Sequence, residues 1–253
     1  MNRLTLILLF VLLSFYSVFP QSPSLIGPQG LILTPTARFP VDGQIRMGYS
    51  NIREPHAFIK WGDKTTQNHL VYTTLVFLPR LELTGLLTFA PGTHGNDGSD
   101  TYKDLAVFAQ YHLLRETHRR PNLAIGLYDF HSYSYYNALF FVAGKTFTPT
   151  HTLKICTNFG YGVDWIDTHL GDTGPDKDAS VPHHLVGLFG GVELQYLDIA
   201  ALLVEYDTSQ LNAGIRLFLF NRVDLLLTAM EFKTFCLGIS CRFSLFPLTK
   251  TLY

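Results

Sequence analysis

The sequence predicts an all-β fold: a transmembrane antiparallel β-barrel of about twelve strands behind an N-terminal signal peptide. Three observations carry that expectation. Segments of about ten residues, alternating in polarity and bounded by Gly, Pro, Asn and Asp, recur along the chain. About ten residues is also what a strand tilted by about 45° needs to cross a bilayer. Charged residues make up only 15% of the chain while aromatics reach 14%, whereas soluble domains carry about 25% charge.

The first residues, MNRLTLILLFVLLSFYSVFPQS, place one cation at Arg3 before an apolar run from Leu4 to Phe19. That is the charge-then-apolar order of an export signal, in a run shorter than the roughly 20 residues of a spanning helix. We assign 1–21 to the signal, 22–42 to a leader, 43–246 to the barrel and 247–253 to a tail. Ser17 and Ser22 are the only small residues near the expected cleavage point, so an uncleaved anchor stays open as the alternative. Either way the remainder leaves the cytoplasm, and a barrel of this kind belongs in the outer membrane of a Gram-negative-type envelope.

Twelve strand-like segments follow in order: Gln44 to Ile52, Asn68 to Phe77, Arg80 to Phe89, Lys103 to Leu113, Asn122 to Phe130, Tyr135 to Lys145, Thr152 to Tyr161, Leu185 to Gln195, Asp198 to Tyr206, Leu211 to Leu219, Arg222 to Met230 and Thr234 to Phe243. Alternation assigns their faces. In the last, Phe235, Leu237, Ile239, Cys241 and Phe243 oppose Thr234, Cys236, Gly238, Ser240 and Arg242. Leu211, Ala213, Ile215, Leu217 and Leu219 oppose Asn212, Gly214, Arg216 and Phe218, and Ile45, Met47 and Tyr49 oppose Gln44, Arg46, Gly48 and Ser50. The polar faces are small or uncharged apart from single charges at Arg46, Glu82, Lys154, Glu193, Arg216 and Arg242. Those six are the candidate lumen-facing ligand residues, because such a face suits a lumen better than a water-facing surface.

Connection lengths agree with barrel topology. With both termini periplasmic, the long gaps Arg53 to Gln67, Ala90 to Tyr102 and Gly162 to His184 all fall on the external side. The periplasmic LRETHRR connection is a longer, basic exception. Partners that follow from the fold are outer-membrane lipid and the barrel assembly machinery. The net charge of −1 and the lack of a dense Lys/Arg stripe exclude nucleic acid.

The stretch GPQGLILTPTARFPVDGQIRMGYS resembles the opening of the YjbH-like outer-membrane family, associated with exopolysaccharide export. Its members open with Gly-x-x-Gly-Leu-Ile-x-x-Pro-Thr-Ala, then Asp-Gly and a strand. The segment RPNLAIGLYDFHSYSYYNALFFVAGKTF resembles a second family segment, with Tyr128 where many members carry Arg. On this resemblance Gly30, Pro35, Thr36, Asp42, Gly43, Gly126, Asp129 and Phe130 are the matching motif residues. The resemblance implies a role in exopolysaccharide export or envelope assembly, with exopolysaccharide and periplasmic export proteins as further partners. A small porin-like ligand channel is the alternative.

The leader poses a separate problem. Pro28, Pro35 and Pro40 cannot donate to a ladder, so Leu25 to Pro40 is not a membrane strand, yet Leu31, Ile32 and Leu33 need burial. Two readings stay open: a segment tucked into or under the lumen and released by the Asp42–Gly43 turn, or a loosely ordered periplasmic leader.

No enzyme signature emerges from the sequence, and no catalytic residue, metal or cofactor is assigned. Asp129, His131, Ser132 and Ser134 cluster at one hairpin top but alternate faces, so a Ser-His pair would need two strands; an outer-membrane lipid- or ester-modifying enzyme is the third reading. His169, His183 and His184 flank a polar loop without compact ligand spacing and are expected to be hydrated. Gly92 to Asp100 lacks the Asp spacing of a calcium loop. Cys156, Cys236 and Cys241 are expected as small apolar fillers, the last two on opposite faces of one strand.

Overall fold

A computed structural model describes residues 22–58, 60–61, 64–65, 67–92, 100–129, 135–165 and 184–245. The expected signal (1–21), the tail (247–253), Phe130, His131, Ser132, Ser134, His169 and His183 lie outside the described residues. The strands are β1 (Gln44–Ile52), β2 (Lys60–Trp61), β3 (Lys64–Thr65), β4 (Asn68–Leu78), β5 (Leu81–Pro91), β6 (Thr101–Leu114), β7 (Asn122–Tyr128), β8 (Ala138–Phe147), β9 (Leu153–Val163), β10 (Gly187–Tyr196), β11 (Ala200–Tyr206), β12 (Leu211–Leu219), β13 (Val223–Met230) and β14 (Thr234–Ser244).

All but β2 and β3 form one closed antiparallel barrel in which each strand pairs with its neighbour in sequence and β1 closes on β14, with Gln44 opposite Ser244. Closure leaves no barrel strand with an unpaired edge. β2 and β3 form a separate two-stranded sheet in the β1–β4 connection, which the sequence did not announce. Among the described residues no helix is long and apolar enough to cross a membrane. One end of the barrel carries the close turns, such as Pro79–Arg80 and Leu197–Ile199, and is called the turn end here; the other is the loop end.

Strand limits match expectation at β1 and β12 and shift by a residue or two elsewhere, with larger differences around one connection. β7 stops at Tyr128, where expectation ran to Phe130, because Asp129 takes a left-handed φ of 47°. β8 begins at Ala138 and not at Tyr135, because Tyr135 and Tyr136 turn back toward the interior and pack there.

Face assignment follows the alternation. Met47, Leu217, Leu237 and Phe243 point outward and are exposed, while Arg46, Arg216, Cys236 and Ser240 are buried inside. The exposed outer surface is a continuous band of Leu, Val, Ile, Phe and Tyr from every barrel strand. An exposed apolar surface of this extent marks a site of contact with another apolar phase or partner. The cysteines are free; Cys156 and Cys236 are buried, and Cys241 is on the outer face.

The interior is not empty. Residues 22–37 fill it as a knot of tight turns, with bridges Pro23 to Gln29 and Gly30 to Pro35, and with the Leu25 N–H donating to the Ile32 carbonyl at 2.8 Å. Leu25, Ile26, Leu31, Ile32 and Leu33 are at most 2% exposed and join the barrel's inward residues in one core. Burying each such side chain is worth roughly 1.5–3 kcal/mol. The segment is thus the core of a barrel that would otherwise be hollow.

Candidate functional site

The interior is assembled around carboxylates on the wall that face a plug with too few of its own hydrogen bonds. A turn-rich segment leaves many N–H and C=O groups without partners, and burial makes each unmet group cost about 1–3 kcal/mol. The wall supplies them. The Glu205 carboxylate on β11 accepts from the Ile32, Leu33 and Thr34 N–H groups at 2.9, 2.8 and 3.1 Å and from the Thr34 hydroxyl at 2.8 Å. Three successive amides converging on one anion form a nest, which stands in for a cation.

Arg216 on β12 does the reverse. Its Nη2 donates to the carbonyls of Pro23, Gly30 and Leu31 at 3.1, 3.2 and 2.6 Å, while Nη1 lies 3.3 Å from Glu193 Oε2. Glu193 also accepts from Arg38 Nη2 at 3.1 Å, so one carboxylate ties the wall to the plug's exit. Glu82 accepts from the Gln29 N–H and pairs with Arg46. Neutral wall groups complete the set: Thr74 donates to Gly27 O at 3.0 Å, Gln110 to Thr36 O at 2.7 Å, and Asn158 Oδ1 accepts from Ala37 N at 3.3 Å.

Each of the six lumen-facing candidates has a definite place. Arg46, Glu82, Glu193 and Arg216 are the buried contacts just described. Arg242 is buried on β14 and donates to both oxygens of Asp224 at 3.2 Å. Lys154 shares the inward face of β9 but sits at the turn end, 3.5 Å from Asp198. Glu82 and Arg216 bond the plug, Glu193 bonds Arg38 at its exit, and Arg46 reaches it through Glu82.

The motif residues divide similarly. Gly30 lies in the plug with the Thr34 carbonyl 2.5 Å from where a Cβ would stand, and its own carbonyl accepts from Arg216. Pro35 bridges back to Gly30, and Thr36 is held by Gln110. Asp42 is exposed, and Gly43, at φ +75°, makes the turn into β1 that only glycine adopts without strain. Gly126 leaves the space on β7 that the Phe140 ring fills. Asp129 is buried, its carbonyl accepting from Asn137 Nδ2 at 2.8 Å. Tyr128, where the family often carries Arg, packs between Phe108 and Phe140.

One expectation is overturned. His184 is buried rather than hydrated, stacked on Tyr135 with ring centroids 5.9 Å apart and edge-on to Tyr136 beneath Phe58. This aromatic lid closes the plug at the loop end. Burial, opposed by the nearby Asp207 charge, pushes its pKa down to about 4. Sequence reasoning also missed Glu205, Asp224, Arg38, Gln110 and Asn158. For Glu205 and Asp224 a signal existed, since each is a lone carboxylate within an otherwise apolar strand segment. Among the described residues no group of three His, Cys, Asp or Glu residues could hold a metal ion.

A closed barrel whose wall carboxylates and arginines are engaged by its own N-terminal segment defines a class: the self-plugged antiparallel β-barrel. The family model YjbH, exopolysaccharide biosynthesis protein YbjH, matches residues 22–248, and the chain belongs to that family. No curated protein matches the chain.

Proposed function

We propose that this chain is an outer-membrane barrel that serves exopolysaccharide export or envelope assembly through its two rims, conducts nothing through its lumen, and does no chemistry of its own. The observation that carries this is the plug: residues 22–37 occupy the lumen, and Glu205 and Arg216 are both committed to holding them there. Family membership supports the polysaccharide, and the outward apolar band supports the bilayer. The turn end then faces the periplasm and the loop end the outside, so tags within Thr93–Ser99 or Thr168–Asp178 should label on intact cells.

The deciding measurement is planar-bilayer conductance of the purified full chain. The plugged barrel is expected to be silent, and deletion of residues 22–37 or loosening of the plug by E205A should produce current. Steady ohmic conductance by the unmodified chain would establish the porin-like channel instead.

A further inference from the structure

The turn end carries exposed Arg80, Arg115, His118, Arg119, Arg120 and Arg222. Its carboxylates are fewer and mostly engaged. Glu116 accepts from Asn122 Nδ2 and the Thr146 N–H, both at 3.0 Å, and pairs with Lys145 at 3.4 Å, while Asp198 is met by Lys154 and Gln195. Asp42 is the exposed acid that remains, and it lies within electrostatic range of His112.

Two features make part of this rim more than a scatter of cations. The β6–β7 connection is pre-ordered: Lys145 Nζ donates to the carbonyls of Thr117, His118 and Arg120 at 2.5, 3.1 and 3.4 Å, and Thr117 and Arg120 bond each other. With its backbone clamped from below, the connection presents His118, Arg119 and Arg120 to solvent at little further ordering cost. The second feature lies at the mouth. Phe39, in the neck where the plug leaves the lumen, packs against buried His112, and Arg115 and Arg80 lie over its ring at 5.1 and 5.8 Å. A guanidinium stacked on a ring keeps its edge N–H groups free, the geometry that takes a carboxylate in bidentate fashion.

From this we infer that the turn-end mouth, formed by Arg80 and Arg115 over Phe39 with Arg119 and Arg120 exposed on the same β6–β7 connection as Arg115, binds an acidic polysaccharide through its carboxylate groups. The inference rests on the polysaccharide role proposed above and names its substrate class and its site. A chain of sugar carboxylates is favoured over anionic lipid headgroups by position. Arg80 and Arg115 close over a ring in the mouth of the barrel, whereas headgroups lie around its circumference. Arg222 provides the internal contrast. It is an equally exposed turn-end cation, on the β12–β13 connection diametrically across the barrel from β6–β7.

The test uses the full chain in phosphatidylcholine nanodiscs and fluorescein-labelled oligogalacturonate, followed by anisotropy. Saturable binding that weakens with salt is expected. The R115A/R119A/R120A variant should bind roughly tenfold more weakly or worse, R222A should bind like the parent, and neutral dextran should not bind. These side chains are exposed, and an unchanged melting temperature will show that the variants fold. Three results would overturn the site: equal loss in R222A, equal capture of dextran, or an effect of the triple variant confined to phosphatidylglycerol liposomes. The sealed lumen does not depend on these cations, so bilayer conductance stays silent whichever way the saccharide experiment falls.

Discussion

Replacing Glu205 with Ala removes the acceptor for four plug donors, the N–H groups of Ile32, Leu33 and Thr34 and the Thr34 hydroxyl, all within 2.8–3.1 Å of the carboxylate, and for Asn212 Nδ2 on the wall at 3.3 Å. The hydroxyl can rotate elsewhere; the three amides cannot. At about 1–3 kcal/mol for each orphaned buried donor, and with water replacing part of the loss, the plug should be held about 4 kcal/mol less tightly. That corresponds to exchange of the amides at 31–34 roughly a thousandfold faster, readable by hydrogen–deuterium exchange of the folded barrel in detergent. E205Q keeps one acceptor oxygen and should fall between. The control is E231A, which removes an exposed carboxylate paired with Lys233 at the loop end and leaves in place the backbone N–H that Asn212 accepts. Unchanged exchange at 31–34 in E205A, with the barrel still folded, would refute the idea that this carboxylate holds the plug.

Three further outcomes are expected. I215R, in mid-strand on the outer face, should cost about 2–4 kcal/mol of folding free energy in lipid, while F220R in the adjacent turn should cost about 0–1, measured by denaturant titration in vesicles; equal costs would rule out a membrane register for β12. A Cβ at Gly238 would stand 3.0 Å from Leu25 Cδ2, so G238V should lower the melting temperature and L25A in the same chain should recover part of it, with a coupling of about 0.5–3 kcal/mol; strict additivity would show that the two do not meet. Because His184 stays neutral in the fold down to about pH 4 but protonates near its ordinary 6.5 when unfolded, the unfolded state binds more protons between these values; about 3 kcal/mol of stability should be lost as pH falls from 6.5 to 4, and H184F should flatten that slope.

The strands were legible because a period of two and a polarity contrast are local properties. β1 and β12 came out to the residue, and the outward positions of Met47, Leu217 and Leu237 followed from alternation alone. β11 shows where that logic weakens. In AALLVEY both faces are apolar until Glu205, so nothing local marks Ala201 and Leu203 as inward. The plug was half legible: three prolines excluded a strand and Leu31–Leu33 demanded burial, yet Glu205 and Arg216, which hold it, lie 171 to 193 positions away, beyond any pattern in the sequence. The filled lumen also changes what an inward position means. Ser240, which in an open channel would accept a large polar side chain, is buried 3.4 Å from Asp224.

The separation between the plug and its anchors imposes an order of events. Residues 22–37 precede every strand in the chain, but Glu205 and Arg216, which grip them, belong to β11 and β12. A contact spanning nearly the whole chain is slow to form, since the intervening loop must be closed first. The apolar run Leu31–Ile32–Leu33 therefore begins assembly as an unsheltered sticky tract and ends it almost wholly buried. The barrel is the lock that its own first residues can enter only once its later strands have been made.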